Sequence, residues 1–258
     1  DNSLLREAIL RDLSERWANR RLHKTAAEQK VAFYKAKGME VPLVEIAEHW
    51  RQAGESDNYR DTMFAAAKRA MTRQDLRGAR DQFREVVELL EASGDQGELW
   101  VKAELHLADL AWRFGEFGLA EDHFRRAVND GSADKKTKGR ALRGLGHLMV
   151  MQGRYKEALQ QYGKALDVAQ RNKDHSGVAK ALIGTSRVHL IQSDLRAEEK
   201  VRGRLEDMLP KLPRGEIAGK VLVHLAEAAQ RRGELDKRRD FLVRARQEFE
   251  NTSDRQGL

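Results

Sequence analysis

An all-α fold, an α-solenoid of antiparallel helix pairs with a repeat near 40 residues, is what this sequence predicts, and three observations carry the prediction. The composition is rich in Ala, Leu, Glu, Lys and Arg, with 3 prolines, 6% aromatic and 34% charged residues, which favours helices and starves sheets. Apolar residues recur at three- and four-residue spacing through every segment, as amphipathic helices require. One set of small, glycine and aromatic positions returns along the chain with constant internal spacing.

The first fifty residues stand apart from that repeat. Leu4, Leu5, Ala8, Ile9 and Leu13 form one helical stripe, and Trp17, Leu22, Ala26 and Ala27 continue it after a cap expected at Ser14. Pro42 suits the first turn of the next helix, which carries Leu43, Ile46, Ala47 and Trp50 and is expected to end near Gly54. Residues 1–54 are therefore read as a helical junction or cap, 55–250 as a superhelix of five repeats and 251–258 as a polar tail, in one continuous structural unit. The chain opens on Asp1, so it is expected to be a piece of a longer protein.

The repeats follow in order. A weak copy has Ala67, Leu76, Ala79 and Phe83, with Gln74 where others have glycine. The next reads Leu107-Ala108, Ala111, Gly115, Phe117, Ala120, Phe124 and Ala127. The clearest reads Leu145-Gly146, Met149, Gly153, Tyr155, Ala158, Tyr162 and Ala165. A second weak copy has Ser186, Ser193 and Leu195, with Glu198 and Arg202 replacing the small and aromatic residues. The last reads Leu225-Ala226, Ala229, Gly233, Leu235, Arg238, Leu242 and Ala245. The small markers at positions 67, 108, 146, 186 and 226 stand 41, 38, 40 and 40 apart.

Each position has a mechanical reading. The small marker lets the second helix of a pair cross closely, and the glycine ends the first helix. Phe117, Tyr155 and Leu235 are expected to plug the junction. Ala120 and Ala158 are contact points, while Phe124 and Tyr162 lock the pair from the far side. This pattern resembles the tetratricopeptide repeat over residues 56 to 250, with units longer than the standard one of about 34 residues. The resemblance implies a superhelix whose groove binds partners and whose first helices line that groove.

A second resemblance covers the first fifty residues. Leu4-Leu5-Arg6-Glu7-Ala8-Ile9, Arg20-Arg21-Leu22-His23, Ala27-Glu28 and Ile46 through Gly54 are similar to the helical junction that follows the ATPase module in STAND-type bacterial signalling regulators. It implies a sensor or arm of a multidomain protein that also carries an ATPase, kinase or cyclase.

Chemistry is sparse. No Gly-x-x-x-x-Gly-Lys loop exists to cradle phosphate; Gly163-Lys164 lacks the upstream glycine and falls inside a helix. The histidines at 23, 49, 106, 123, 147, 175, 189 and 224 stand singly, with no two at helical metal-site spacing. His23 and His49 are read as packing or surface residues. No serine occupies a nucleophile elbow, and carboxylate pairs read as partners of Lys or Arg. Met149 and Met151 read as core filler, with an adaptable apolar groove as the alternative. No catalytic residue, cofactor or metal is assigned. Without cysteine or a long apolar run, a cytoplasmic setting and no membrane partner are expected.

The remaining signal is positional. Six residues before the marker, a position facing the groove in the tetratricopeptide family holds Lys102, Arg140, Lys180 and Lys220 in successive units. Neighbouring positions add Arg143, Arg187, Arg113 and Arg231, with Trp112 and His147. With 48 basic against 41 acidic residues and a net charge of +7, such a stack favours an acidic peptide, a carboxylate terminus or a phosphate-bearing ligand. The asparagines that the carboxylate-clamp subclass carries nearby have no counterpart in these positions. The expected function is a non-catalytic protein- or peptide-binding regulatory module of a bacterial signalling protein. The alternative is a sensor in which a small inducer or signalling peptide occupies the groove. Nucleic-acid binding is disfavoured by interleaved acidic residues.

Overall fold

The computed structural model describes the backbone of residues 2–130 and 133–256 and the side chains of residues 14–130 and 133–250. Twelve α-helices and one 3-10 turn account for the described residues, and no strand occurs among them. The chain divides into two compact units, Asp1–Leu110 and Ala111–Leu258, the boundary falling within one helix.

The first unit holds α1 (Asn2–Ala36), α2 (Leu43–Ala53), α3 (Ser56–Thr72), α4 (Leu76–Ala92) and most of α5 (Glu98–Arg113). α1 runs unbroken through Ser14, so the expected cap there is not realised; no glycine or proline interrupts the segment. The stripe from Leu4 to Leu13 lies outside the described side chains. Trp17 and Leu22, expected to continue it, are exposed, and burial against α2 begins at Ala27, with Ile46, Ala47 and Trp50 buried on α2. α2 starts directly after Pro42 and stops at Gly54, whose φ of 75° is left-handed. Phe83 of α4 is fully buried, and His106 of α5 stacks on it with ring centroids 4.6 Å apart.

The second unit holds the end of α5, then α6 (Phe117–Asn129), α7 (Lys135–Met151), α8 (Tyr155–Arg171), α9 (His175–Ile191), α10 (Leu195–Met208), the 3-10 turn Leu209–Lys211, α11 (Glu216–Arg231) and α12 (Leu235–Gln256). The pairs α7/α8, α9/α10 and α11/α12 are antiparallel hairpins, and α7 touches α9 as α9 touches α11. The first helices of successive pairs therefore form one layer. Leu182 of α9, Leu205 of α10 and Val221 and Leu225 of α11 belong to one buried apolar cluster that joins these helices.

The turns inside the five pairs obey one rule. Gln74, Gly115, Gly153, Ser193 and Gly233 all have positive φ, between 57° and 77°. In each, the next residue's N–H reaches back to a carbonyl five residues earlier, as from Arg154 to Met149 at 2.8 Å and from Asp194 to His189 at 2.9 Å. This closes the helix end and reverses the chain. Asp75 and Asp194, each following a non-glycine turn residue, cap the next helix by accepting from Gly78 N–H at 3.0 Å and Ala197 N–H at 3.1 Å.

All five small markers are buried. The aromatic lock works across pairs as well as within one. A Cβ on Gly146 would stand 2.8 Å from the Tyr162 ring, and one on Gly184, in the next pair, would also collide with that ring. Phe124 fills the same role against Gly144. The expected junction plugs are a correction: Phe117 and Leu235 are 41% and 64% exposed. Each opens the second helix of its pair with its side chain exposed, whereas Tyr155, at the same position, is partly buried against Met149, Ala158 and Tyr162.

Candidate functional site

The sequence-predicted cations divide by unit. Lys102 lies on α5 in the first unit and is ion-paired with Glu98, one turn earlier. In the second unit, Arg140 and Arg143 of α7, Lys180 of α9 and Lys220 of α11 come together on the first-helix layer. Their mutual influence is visible in their acidity. Burial, then the like charges of Arg143 and Lys220, depress the Lys180 ammonium against the opposing pull of Glu216 and Asp174. Burial likewise depresses the Arg143 guanidinium, partly offset by Asp174. Lys220 is held by Glu216, whose carboxyl it keeps acidic.

Two turns along the same helices, a second group assembles. His147 and Met151 of α7, Arg187 and Ile191 of α9, and Glu227 and Arg231 of α11 line a cavity of about 760 Å³, with Val150, Tyr162, Leu190 and Gln230. Trp112, at the end of α5, meets His147 edge-on with centroids 5.1 Å apart. Arg113 is exposed at the same helix end and does not line the cavity. Burial, then Arg187, lowers the His147 pKa. Beneath the cavity His224 is buried, its Nε2 2.8 Å from the Ser186 hydroxyl, and burial followed by Arg187 and Arg231 pushes its pKa down to about 4. Both imidazoles are thus neutral at neutral pH, and the positive charge belongs to the arginines. Among the described residues neither Arg187 nor Arg231 has an ion-pair partner; Glu227 lies 3.8 Å from His224 Nδ1 instead.

Of the residues lining this cavity, the sequence points to His147, Arg187 and Arg231. Met151, for which core filler is the first reading and an adaptable apolar groove the alternative, is 61% exposed on the rim beside Ile191 at 46%, as the alternative requires, while Met149 is buried. Both rim residues end a first helix, a position the repeat pattern marks by the turn that follows. Sequence spacing also gave no sign that His23 and His49 meet, Nδ1 to Nδ1 at 3.0 Å, where α1 crosses α2.

The first unit has a cavity of its own, about 920 Å³, lined in part by Leu43, Glu48, Tyr59, Met63 and Glu85. Its carboxylates are already engaged: Arg51 donates to Glu48 at 2.8 Å, and the Tyr59 hydroxyl donates to Glu85. No helix among the described residues is long and apolar enough to cross a membrane.

An all-α array of hairpins with a shared layer of first helices defines the helical-repeat class. Residues 137–201 match the tetratricopeptide repeat family. Solved structures share the fold at low identity. The Signal Transduction ATPase with Numerous Domains (STAND) protein with a tetratricopeptide repeat sensor from Pyrococcus horikoshii aligns at 14% identity and a TM-score of 0.62, over 90% of this chain and 36% of that one. BtubC (BKLC) from P. vanneervenii aligns at 15% identity and 0.58, over 90% and 89%. Aspartyl phosphate phosphatase F from Bacillus subtilis aligns at 12% and 0.53, over 94% and 72%. No curated protein matches the chain in sequence.

Proposed function

We propose that this chain is a non-catalytic scaffold that binds an acidic protein or peptide along the first-helix layer, as the regulatory arm of a larger bacterial signalling protein. One observation carries the reading. Arg143, Lys180, Arg187 and Arg231 stand on α7, α9 and α11 without an ion-pair partner among the described residues, on a surface that also carries Arg140 and Lys220. Unneutralised charge held close together is unfavourable in the free protein and is relieved by an anionic partner. The signalling context is supported by the first fifty residues and by a fold shared with a STAND protein of which this chain spans only part. A partner lying across three hairpins would set their mutual angle, and so bias any domain attached to them.

The test is fluorescence anisotropy with a labelled polyglutamate peptide. Replacing Arg140, Lys180 and Lys220 together by Glu is expected to weaken binding roughly a hundredfold, about 3 kcal/mol, with little change in Tm, since all three are exposed. Salt is expected to weaken the wild-type complex, because exposed pairs are screened within about 8 Å at physiological ionic strength. A complex indifferent to both changes removes the groove reading. ATP turnover that survives repurification removes the non-catalytic one.

A further inference from the structure

We propose that the cavity between α7, α9 and α11 is an anchor pocket for one apolar residue and an adjacent acidic residue of an extended peptide. The aliphatic side chain would lie against Met151 and Ile191, and the carboxylate between Arg187 and Arg231. This rests on the peptide-binding reading above and deepens it. The ladder of Arg140, Lys180 and Lys220 recognises charge alone, whereas the pocket recognises charge beside an apolar surface.

Three features of the pocket lead there. Its volume, about 760 Å³, falls in the range of roughly 300–1,000 Å³ typical of ligand pockets. It is far larger than one carboxylate needs. Its rim exposes Met151 and Ile191, large side chains left bare in a concavity where burial of each by a partner is favourable. Methionine is suited to this because its unbranched thioether adapts to differently shaped neighbours.

The third feature is the charge balance. Arg187 and Arg231 are unpaired, and the one carboxylate in the lining, Glu227, stands by His224. Lys180 and Arg187 share one helix seven residues apart, so ladder and pocket are separated by about 10 Å at 1.5 Å per residue. An extended peptide spans that distance in about three residues at roughly 3.3 Å each. One acidic residue in the pocket and another three positions away would engage both clusters, which favours an extended chain over an isolated small anion.

The experiment uses labelled octapeptides with capped termini, built on leucine-glutamate-glutamate, glycine-glutamate-glutamate and leucine-glutamine-glutamine repeats, so that the first two carry glutamates three positions apart. The first is expected to bind the intact chain at least about tenfold tighter than either control, the equivalent of 1.4 kcal/mol. Arg187→Gln with Arg231→Gln should remove most of that advantage. Met151→Ser with Ile191→Ser should weaken the leucine–glutamate peptide and leave the glycine–glutamate peptide unchanged. All four side chains are exposed, so the variants are expected to fold, and an unchanged Tm checks this. Equal binding of the two glutamate peptides, indifference to both double variants, or no binding at all overturns the pocket. Hexanoate competing as well as the peptide also overturns it, in favour of a small-anion site. Loss of binding in the ladder variant alone refutes the pocket and leaves the scaffold reading standing.

Discussion

Arg232, at the end of α11, donates to the fully buried carboxylate of Glu198 on α10 at 2.8 Å. Glu198 occupies the position that holds alanine in the two clearest repeats, so an irregularity of the fourth repeat is matched by a residue of the fifth. The pair ties adjacent hairpins, α10 to the end of α11. Glu121 and Arg154 make a comparable link between α6 and the α7–α8 turn, also at 2.8 Å.

Removing one member of the Glu198–Arg232 pair is expected to destabilise by about 3 kcal/mol, because the other charge is left without its partner. Glu198→Ala should therefore lower the urea midpoint clearly. Glu198→Ala combined with Arg232→Met should recover most of the loss, since the repeat pattern is then restored with an apolar neighbour. Equal midpoints for the wild type and the single variant would show that the pair contributes nothing.

Ser193 and Gln74 hold left-handed backbone at the positions where the other pairs have glycine. Each is expected to gain about 0.5–1 kcal/mol on substitution by Gly, which adopts that conformation without a Cβ clash. Gly153→Ala should lose a similar amount. Chemical denaturation monitored by circular dichroism checks all three, and the idea fails if the Gly and Ala substitutions shift the midpoint in the same direction.

Gly184→Ala tests the aromatic lock. The added methyl would meet the Tyr162 ring, and overpacking of this kind costs about 1–3 kcal/mol. Gly163→Ala, on α8 with open space at its Cβ, is expected to be neutral or slightly stabilising. Tyr162→Leu in the Gly184→Ala background should restore part of the loss. Additive effects of the two substitutions would mean that they do not touch.

These residues also show what the sequence could and could not disclose. The turn residues and small markers were legible because a backbone conformation or a close crossing admits few side chains, and those few recur. Gly144 and Gly184 were passed over because the pattern had been anchored two residues later, although a glycine inside a helix is itself a signal of close approach. Phe117 and Leu235 were misread because an apolar residue opening a helix has the same letter whether it faces inward or outward. For the site, a shared repeat position placed Arg140, Lys180 and Lys220 on one layer. The engagement of Lys102 by Glu98 and of Lys220 by Glu216 was available from four-residue spacing and was not used. The pocket could not be read, since it is made by the ends of α7, α9 and α11 approaching in space.

His224 makes the stability of the second unit pH-dependent in a defined direction. It is packed under the pocket with its Nε2 at the Ser186 hydroxyl on α9, facing Arg187 from α9 and Glu227 and Arg231 from its own helix. Burial comes first, then the two guanidinium groups, and together they lower its pKa to about 4 from an ordinary value near 6.5. The folded state therefore binds fewer protons than the unfolded state between those values. By linkage, stability rises with pH through that window. The contribution is fully present above about 6.5 and is lost as pH falls toward about 4, a difference of roughly 3 kcal/mol for a shift of this size. Replacing His224 by Asn keeps a polar group near Ser186 and removes the titration. The variant is expected to be less stable than the wild type at pH 7, yet to lose less stability between pH 7 and 5. Urea midpoints at several pH values give the two slopes, and parallel slopes would mean that His224 is protonated in the folded protein as readily as in the unfolded chain.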